Sequence, residues 1–159
     1  VPGTAGLMHR IGGIEKEDGT GNISYDPENH QRMVTIRDAR IKKIADSYPA
    51  TTVEGDLDAD LLVVSWGSTW GAITSAVGRM RRSGQKVARV HLTNIYPLPN
   101  DLGGILRGYQ RVVVPEMNLG QLSKILRAEY LVDARPISKV EGQPFTAAEL
   151  HHNLLEMNR

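Results

Sequence analysis

Two stretches of the chain share one order of apolar and polar positions. Leu61, Leu62, Val63 and Val64 run up to Ser65, and Val112, Val113 and Val114 run up to Pro115; each run then breaks off in small or polar residues. Apolar positions at helical spacing follow both. After the first they are Ile73, Ala76, Val77 and Met80, the i, i+3, i+4, i+7 stripe of a helix packed on a sheet. After the second they are Leu119, Leu122, Ile125, Leu126 and Tyr130. The order predicts strand, loop and helix, written twice over 61–65 and 111–115 and beyond, and the loop after such a strand is where parallel α/β sheets meet ligands and partner domains. The first run does not alternate with polar residues, so its strand is expected to be covered on both faces.

Other elements fall between and around these. Gly84 is a good helix terminator, and 87–92 reads as a further strand. Residues 95–99 form a rigid loop whose Pro97 and Pro99 oppose strand pairing. Asn100 or Asp101 is placed to cap a short helix running to about residue 109, with Leu102, Ile105 and Leu106 inward. A fourth, shorter edge strand is expected over 135–140. Thr146 and Glu149 make a capping box, in which hydroxyl and carboxylate satisfy first-turn amides, and the helix behind it uses Leu150, Leu154 and Met157. Strands alternating with helices imply a mostly parallel sheet covered on both faces, because parallel neighbours need helical crossovers.

The chain before residue 56 is different. Residues 56–60 are an acidic lead-in to the sheet. Over 29–47 a helix is predicted, with Val34, Ile41, Ala45 and Tyr48 on one face, Arg37, Arg40, Lys42 and Lys43 mostly elsewhere, and its end set by Pro49. Residues 1–31 are glycine-rich with a charged cluster, Glu15, Lys16, Glu17 and Asp18, and show almost no periodicity. So long a non-periodic segment points to a functional loop, a disordered arm or an interface. The opening, Val1 to Gly6, reads as the middle of a loop, as expected of a piece cut from a longer polypeptide.

Composition narrows the chemistry. A length of 159 residues suits one domain, or one domain and an arm. The formal net charge of +1 gives no electrostatic footprint for nucleic acid. With no cysteine, this chain supplies no disulfide, thiolate metal site, iron–sulfur ligand or cysteine nucleophile. No apolar run approaches the ~18 residues of a membrane span and no signal-peptide pattern opens the chain, so no membrane association and a cytoplasmic location are expected. His9, His30, His91, His151 and His152 are scattered, and the adjacent pair would point about 100° apart on a helix; solvated surface positions are the expectation, with no metal site and no catalytic constellation.

The candidate site is the crest after the two strands. Gly67, Ser68 and Thr69, ahead of Trp70 and Gly71, offer backbone amides and a helix start that could hold a phosphate or carboxylate. They carry neither the lysine-bearing phosphate loop nor the three-glycine dinucleotide fingerprint, and a tight turn with capping hydroxyls is the plainer reading. Trp66 and Trp70, the only tryptophans, are expected either in the core or on a surface where another chain docks. Glu116 and Asn118 should lie on the same crest, as a ligand or domain contact or as a helix-start group.

Several of these residues connect to a family. The run from Gly12 to Ser24, the Asn29, His30, Gln31 helix start, the strand ending in Trp66, Gly67 and Ser68, and above all the block from Val114 through Pro115, Glu116, Met117, Asn118, Leu119, Gly120 and Gln121 to Leu122 resemble the carboxyl-terminal part of the alpha subunit of 2-oxoacid:ferredoxin oxidoreductases, particularly those acting on 2-oxoglutarate. The resemblance implies that 56–159 form a domain like the carboxyl-terminal domain of transketolase, a three-layer α/β/α unit whose mostly parallel sheet carries one antiparallel edge strand. Residues 31–55 would be a linker helix, and 1–30 a loop or the tail of a preceding pyrimidine-binding domain.

The implied reaction converts 2-oxoglutarate, coenzyme A and oxidised ferredoxin into succinyl coenzyme A, carbon dioxide and reduced ferredoxin. It uses thiamine diphosphate, magnesium and an iron–sulfur cluster, held mainly by the beta subunit, and none of them is expected on this chain. Its expected partners are the beta subunit and the rest of the alpha subunit, with Trp66, Trp70, Glu116, Asn118 and Gly120 as interface candidates. Two other readings stay open: a free-standing phosphate- or coenzyme A-binding domain using Gly67, Ser68 and Thr69, and a ligand-free interaction module.

Overall fold

The structure is a computed structural model that describes residues 3–9 and 11–158. Val1, Pro2, Arg10 and Arg159 lie outside it, so the loop reading of the opening is met only from Gly3 onward. The chain divides into two compact units, Val1–Ser47 and Tyr48–Arg159.

In the amino-terminal unit, Lys16 and Ile23 form an antiparallel bridge, closed by the Glu17 amide on the Asn22 carbonyl at 2.7 Å and the Ser24 amide on the Glu15 carbonyl at 3.0 Å. Helix α1 (Pro27–Lys42) follows, continued by a 3-10 turn over Lys43–Ser47. It begins two residues before the predicted start because Asp26 caps the Glu28 and Asn29 amides and Pro27, which has no amide to leave unsatisfied, takes the first turn. Polar contacts hold the bridged segment to α1. Asn29 accepts the Asp18 amide at 3.0 Å and donates to the Lys16 carbonyl at 3.0 Å, while Glu15 meets Arg37 at 3.0 Å and His30 at 2.6 Å. The expected apolar stripe is only partly covered within the unit: Ala45 is buried, whereas Val34 and Ile41 remain exposed.

The carboxyl-terminal unit is built on five strands: β1 (Val53–Gly55), β2 (Leu61–Trp66), β3 (Ala88–Leu92), β4 (Arg111–Glu116) and β5 (Ala134–Ser138). They form one sheet in the order β1-β3-β2-β4-β5. All neighbours are parallel except β1 and β3. The predicted fold is therefore present, one antiparallel edge strand included. That strand is β1, a three-residue element where the resemblance implied the end of a linker helix over 31–55. The other edge, β5, is parallel and carries Pro136 opposite Val114.

Helices α2 (Trp70–Arg82), α3 (Leu102–Arg107), α4 (Gln121–Tyr130) and α5 (Ala147–Met157) cover the sheet. The crossover from β2 to β3 runs one way along the sheet, and those from β3 to β4 and β4 to β5 run the other way. Because parallel crossovers are right-handed, the first helix and the next two must lie on opposite faces, and the core confirms it. Leu61, Val63 and Val113 pack with Ile73, Val77 and Met80 of α2 and Leu150 and Leu154 of α5. Leu62, Val64, Val112 and Val114 pack with Leu102 and Leu106 of α3 and Leu122 and Leu126 of α4. Successive strand residues face opposite ways, so the unbroken apolar runs feed both cores.

The Glu15 clamp responds to acid. Its hydrogen bond from Arg37, above all, with His30 and the Lys16 amide, outweighs partial burial and lowers its carboxyl from 4.5 to about 2. A depressed carboxyl stabilises the fold in full above its unfolded value and loses that contribution as pH falls through the folded one. The hold of the 15–24 segment on α1 should thus be complete above about pH 4.5 and fade toward pH 2. Hydrogen exchange at the Glu17 and Ser24 amides is the measurement; Glu15→Gln should show loosened exchange already at neutral pH.

Candidate functional site

In an open parallel sheet a crevice forms where neighbouring strands send their connections to opposite faces. Here that place lies between β2 and β4, whose loops lead to α2 on one face and α4 on the other. A cleft of about 120 Å³ opens there, lined by Trp66, Gly67, Ser68, Thr69, Met117 and Asn118. The two sequence stretches that predicted the crest are thus brought together in space.

The β2 side turns sharply. Gly67 has φ 56, and Gly67–Thr69 form one 3-10 turn leading straight into α2. The Thr69 hydroxyl donates to the Trp66 carbonyl at 2.8 Å, tying the turn to the strand end. Ser68 is exposed, and its hydroxyl reaches only the Met117 sulfur at 3.9 Å, a weak acceptor. The two tryptophans differ in their surroundings. Trp66 is partly buried against the α3/α4 core, whereas Trp70 is 50% exposed at the head of α2.

The β4 side is fixed from within. Glu116 is 0% exposed, and its two carboxylate oxygens accept the Leu122 amide at 2.8 Å and the Ser123 amide at 2.9 Å. It is a helix-start group, and its carboxylate is not available to another chain; the expectation of Glu116 as a contact residue is corrected on that ground. Asn118 caps the same helix by accepting the Gln121 amide at 2.8 Å. Gly120, another interface candidate, is also internal: it is buried at φ 78, and a Cβ there would stand 3.0 Å from the Ser123 hydroxyl and 3.3 Å from Pro136. The β4 side instead presents Met117 and Leu119, the latter 74% exposed. In the loop after β3, Tyr96 is also exposed.

A polar group on the α2 face escaped the sequence reading. Arg89, 7% exposed, donates to Glu54 at 2.6 Å and lies 5.8 Å from the Trp70 ring centroid, while its Nη1 has no partner. Beside it the buried Ser65 hydroxyl donates to the Val90 carbonyl at 3.1 Å and stands 2.8 Å from Nδ1 of His91. Burial, with the nearby Arg89 charge, lowers the His91 pKa. His91 is therefore not the solvated surface residue expected. The signal was present as period-2 alternation: residues 65, 89 and 91 fall on one face, opposite 64, 88, 90 and 92. The pair is a serine beside a histidine, but Ser65 is sealed from any external carbonyl or phosphorus, so it is a structural contact. Among the described residues no group of three histidine, aspartate or glutamate side chains is placed to hold a metal ion, and no helix is long and apolar enough to cross a membrane.

Known proteins resemble this chain along its length. The sequence pattern of the family described as pyruvate:ferredoxin oxidoreductase core domain II matches residues 59–150. The 2-oxoglutarate oxidoreductase subunit KorA of Mycobacterium tuberculosis is 49% identical over 94% of this chain and 23% of its own length. The 2-oxoglutarate synthase subunit KorA of Methanocaldococcus jannaschii is 36% identical over 72% of this chain and 30% of its own length. Among solved structures, 2-oxoglutarate:ferredoxin oxidoreductase from Magnetococcus marinus, with 2-oxoglutarate, coenzyme A and succinyl-CoA bound, superposes on 99% of this chain and 28% of its own at a TM-score of 0.88 and 32% identity. The chain spans less than a third of each of these relatives.

The buried carboxylate makes the crest testable. Glu116→Gln keeps the shape but turns an amide nitrogen toward one of two backbone donors, leaving one bond replaced by a donor–donor conflict. The unit should lose about 1–3 kcal/mol in urea unfolding, and the Leu122 and Ser123 amides should exchange faster. Unchanged protection at those two amides would show that the carboxylate does not hold the helix.

Proposed function

The chain belongs to the pyruvate:ferredoxin oxidoreductase core domain II family, and on that premise we propose that it forms the carboxyl-terminal part of the alpha subunit of a 2-oxoglutarate:ferredoxin oxidoreductase. The reaction read for the whole enzyme is the oxidative decarboxylation of 2-oxoglutarate to succinyl coenzyme A, with electrons passed to ferredoxin in the cytoplasm. Thiamine diphosphate supplies the carbanion chemistry and an iron–sulfur cluster the one-electron steps. The donors of this chain do not fit either group. A cluster needs thiolates and the sequence has no cysteine, and the described residues offer no carboxylate cluster for a diphosphate-bound magnesium. No step of the chemistry is assigned to it.

The role we assign is docking. What supports it is the crest itself: Trp70, Met117 and Leu119 leave apolar surface in water beside a cleft whose lining includes no charged side chain. Tryptophan and methionine are enriched in interface cores, from which charge is depleted. The same lining argues against the phosphate-binding alternative, because about 120 Å³ is too small for coenzyme A and brings no cation to an anion. We place the beta subunit on this surface, with Trp70 as its anchor.

The complete alpha subunit carrying Trp70→Ala and Leu119→Ala should associate with the beta subunit at least about tenfold more weakly, as loss of an aromatic anchor produces. Both side chains are exposed, so circular dichroism of the variant should match the parent. Association and turnover equal to the parent would sink the docking role.

A further inference from the structure

Arg89 is a cation that the sheet keeps out of water. It lies on β3 at 7% exposure, in register with Glu54 of the edge strand β1 on one side and with Val63 of β2 on the other. Its Nη2 donates to Glu54 at 2.6 Å, while Nη1 is closed off from water and meets no acceptor. A buried cation short of partners is unfavourable unless another group compensates it.

The surrounding side chains narrow what that group is. Ser65 and His91, the other polar residues on this face of β2 and β3, are engaged with each other at 2.8 Å. Val63 is apolar and fully buried. The Trp70 ring remains: its centroid is 5.8 Å from the guanidinium carbon, which lies over it. That distance is within reach of a cation–π contact, and burial of the cation strengthens the attraction because water does not compete for the charge. Trp70 is the first residue of α2, its carbonyl accepts the Thr74 hydroxyl at 2.7 Å, and the residue stays 50% exposed. Its backbone is thus set by the helix, and its indole meets one charge.

We propose that Arg89 is a positioning residue: its guanidinium, held by Glu54, sets the orientation of the Trp70 indole that a partner chain meets. The use of that indole by a partner rests on the docking role proposed above; the contact between Arg89 and Trp70 does not. With 8% of its side chain exposed, Arg89 is too enclosed to meet a partner itself and acts through the ring. The arrangement needs a forked cation. One nitrogen is engaged by Glu54 while the planar group still lies over the indole, and a lysine ammonium, a compact point charge, does not reproduce that fork.

The test reads the indole first and association second. In a Trp66→Phe background, Trp70 is the single tryptophan of the 159-residue chain. Valine suits a strand, and Arg89→Val leaves behind only Glu54, whose side chain is 53% exposed. This variant should raise the acrylamide quenching constant of Trp70. Glu54→Ala, on the exposed edge, should move it the same way, and Arg89→Lys should fall between Arg89→Val and the parent. In the complete alpha subunit, Arg89→Val should weaken association with the beta subunit about fivefold, and should have no further effect in a Trp70→Ala background. A residue that merely held the sheet together would weaken both backgrounds alike. Unchanged quenching in Arg89→Val, or the same loss of affinity with and without Trp70, overturns the proposal. If Trp70→Ala leaves association intact, the docking role fails, and the quenching comparison decides the placement of the indole by itself.

Discussion

Glu116 sits wholly out of solvent while accepting the second and third amides of α4, and the course of the chain beyond β4 follows from that contact. An unpaired carboxylate in this place would be strongly unfavourable. Two amide donors and the positive end of the helix reverse the sign, because charge-assisted bonds are about twice as strong as neutral ones. The helix is thereby pinned one short loop after its strand. Residues 117–119 have no room to spread and must arch over the strand end, which pushes Met117 and Leu119 into water. Gly120 completes the arch at a left-handed φ, where a side chain would be strained and would crowd Ser123 and Pro136.

The opposite half of the crest obeys a different constraint. On the β2 side no carboxylate anchors the turn; Gly67 and the Thr69 hydroxyl make it, and α2 starts immediately. Trp70 then stands at the outer head of α2, resting on Arg89, whose second partner Glu54 belongs to the antiparallel edge strand. One buried guanidinium therefore ties together the edge strand, the central sheet and the exposed indole. A side chain with such a contact on one face loses less freedom on any further contact than one wholly in water.

What the sequence reveals depends on how many residues share a signal. The three long strands and the helices with clear stripes are legible because several apolar positions repeat in register, and the capping box at Thr146 and Glu149 is legible because its two partners lie three residues apart. Strand β1 is three residues long, with Gly55 at φ 108 as its last, so no periodicity can announce it; only pairing with β3 makes it a strand. The two loops of the crest meet where the strand, loop and helix order puts them; of the two readings of Glu116 the helix-start one holds, and Gly120 is internal. Glu116 is written identically whether it reaches outward or folds under its own helix, and the partners that decide this lie six and seven residues on.

The two sheet edges carry a further consequence. Strand β1 ends after three residues in a glycine whose conformation turns the chain away, and β5 contains Pro136, which has no amide proton to offer an incoming strand. An unprotected edge is a template on which a second molecule can add its own strand and start an aggregate. Both borders of this sheet are blunted, so such a unit presents a neighbouring molecule with no continuous rail to extend. With backbone pairing disfavoured at both edges, side-chain shape is left as the means by which this sheet would hold another molecule.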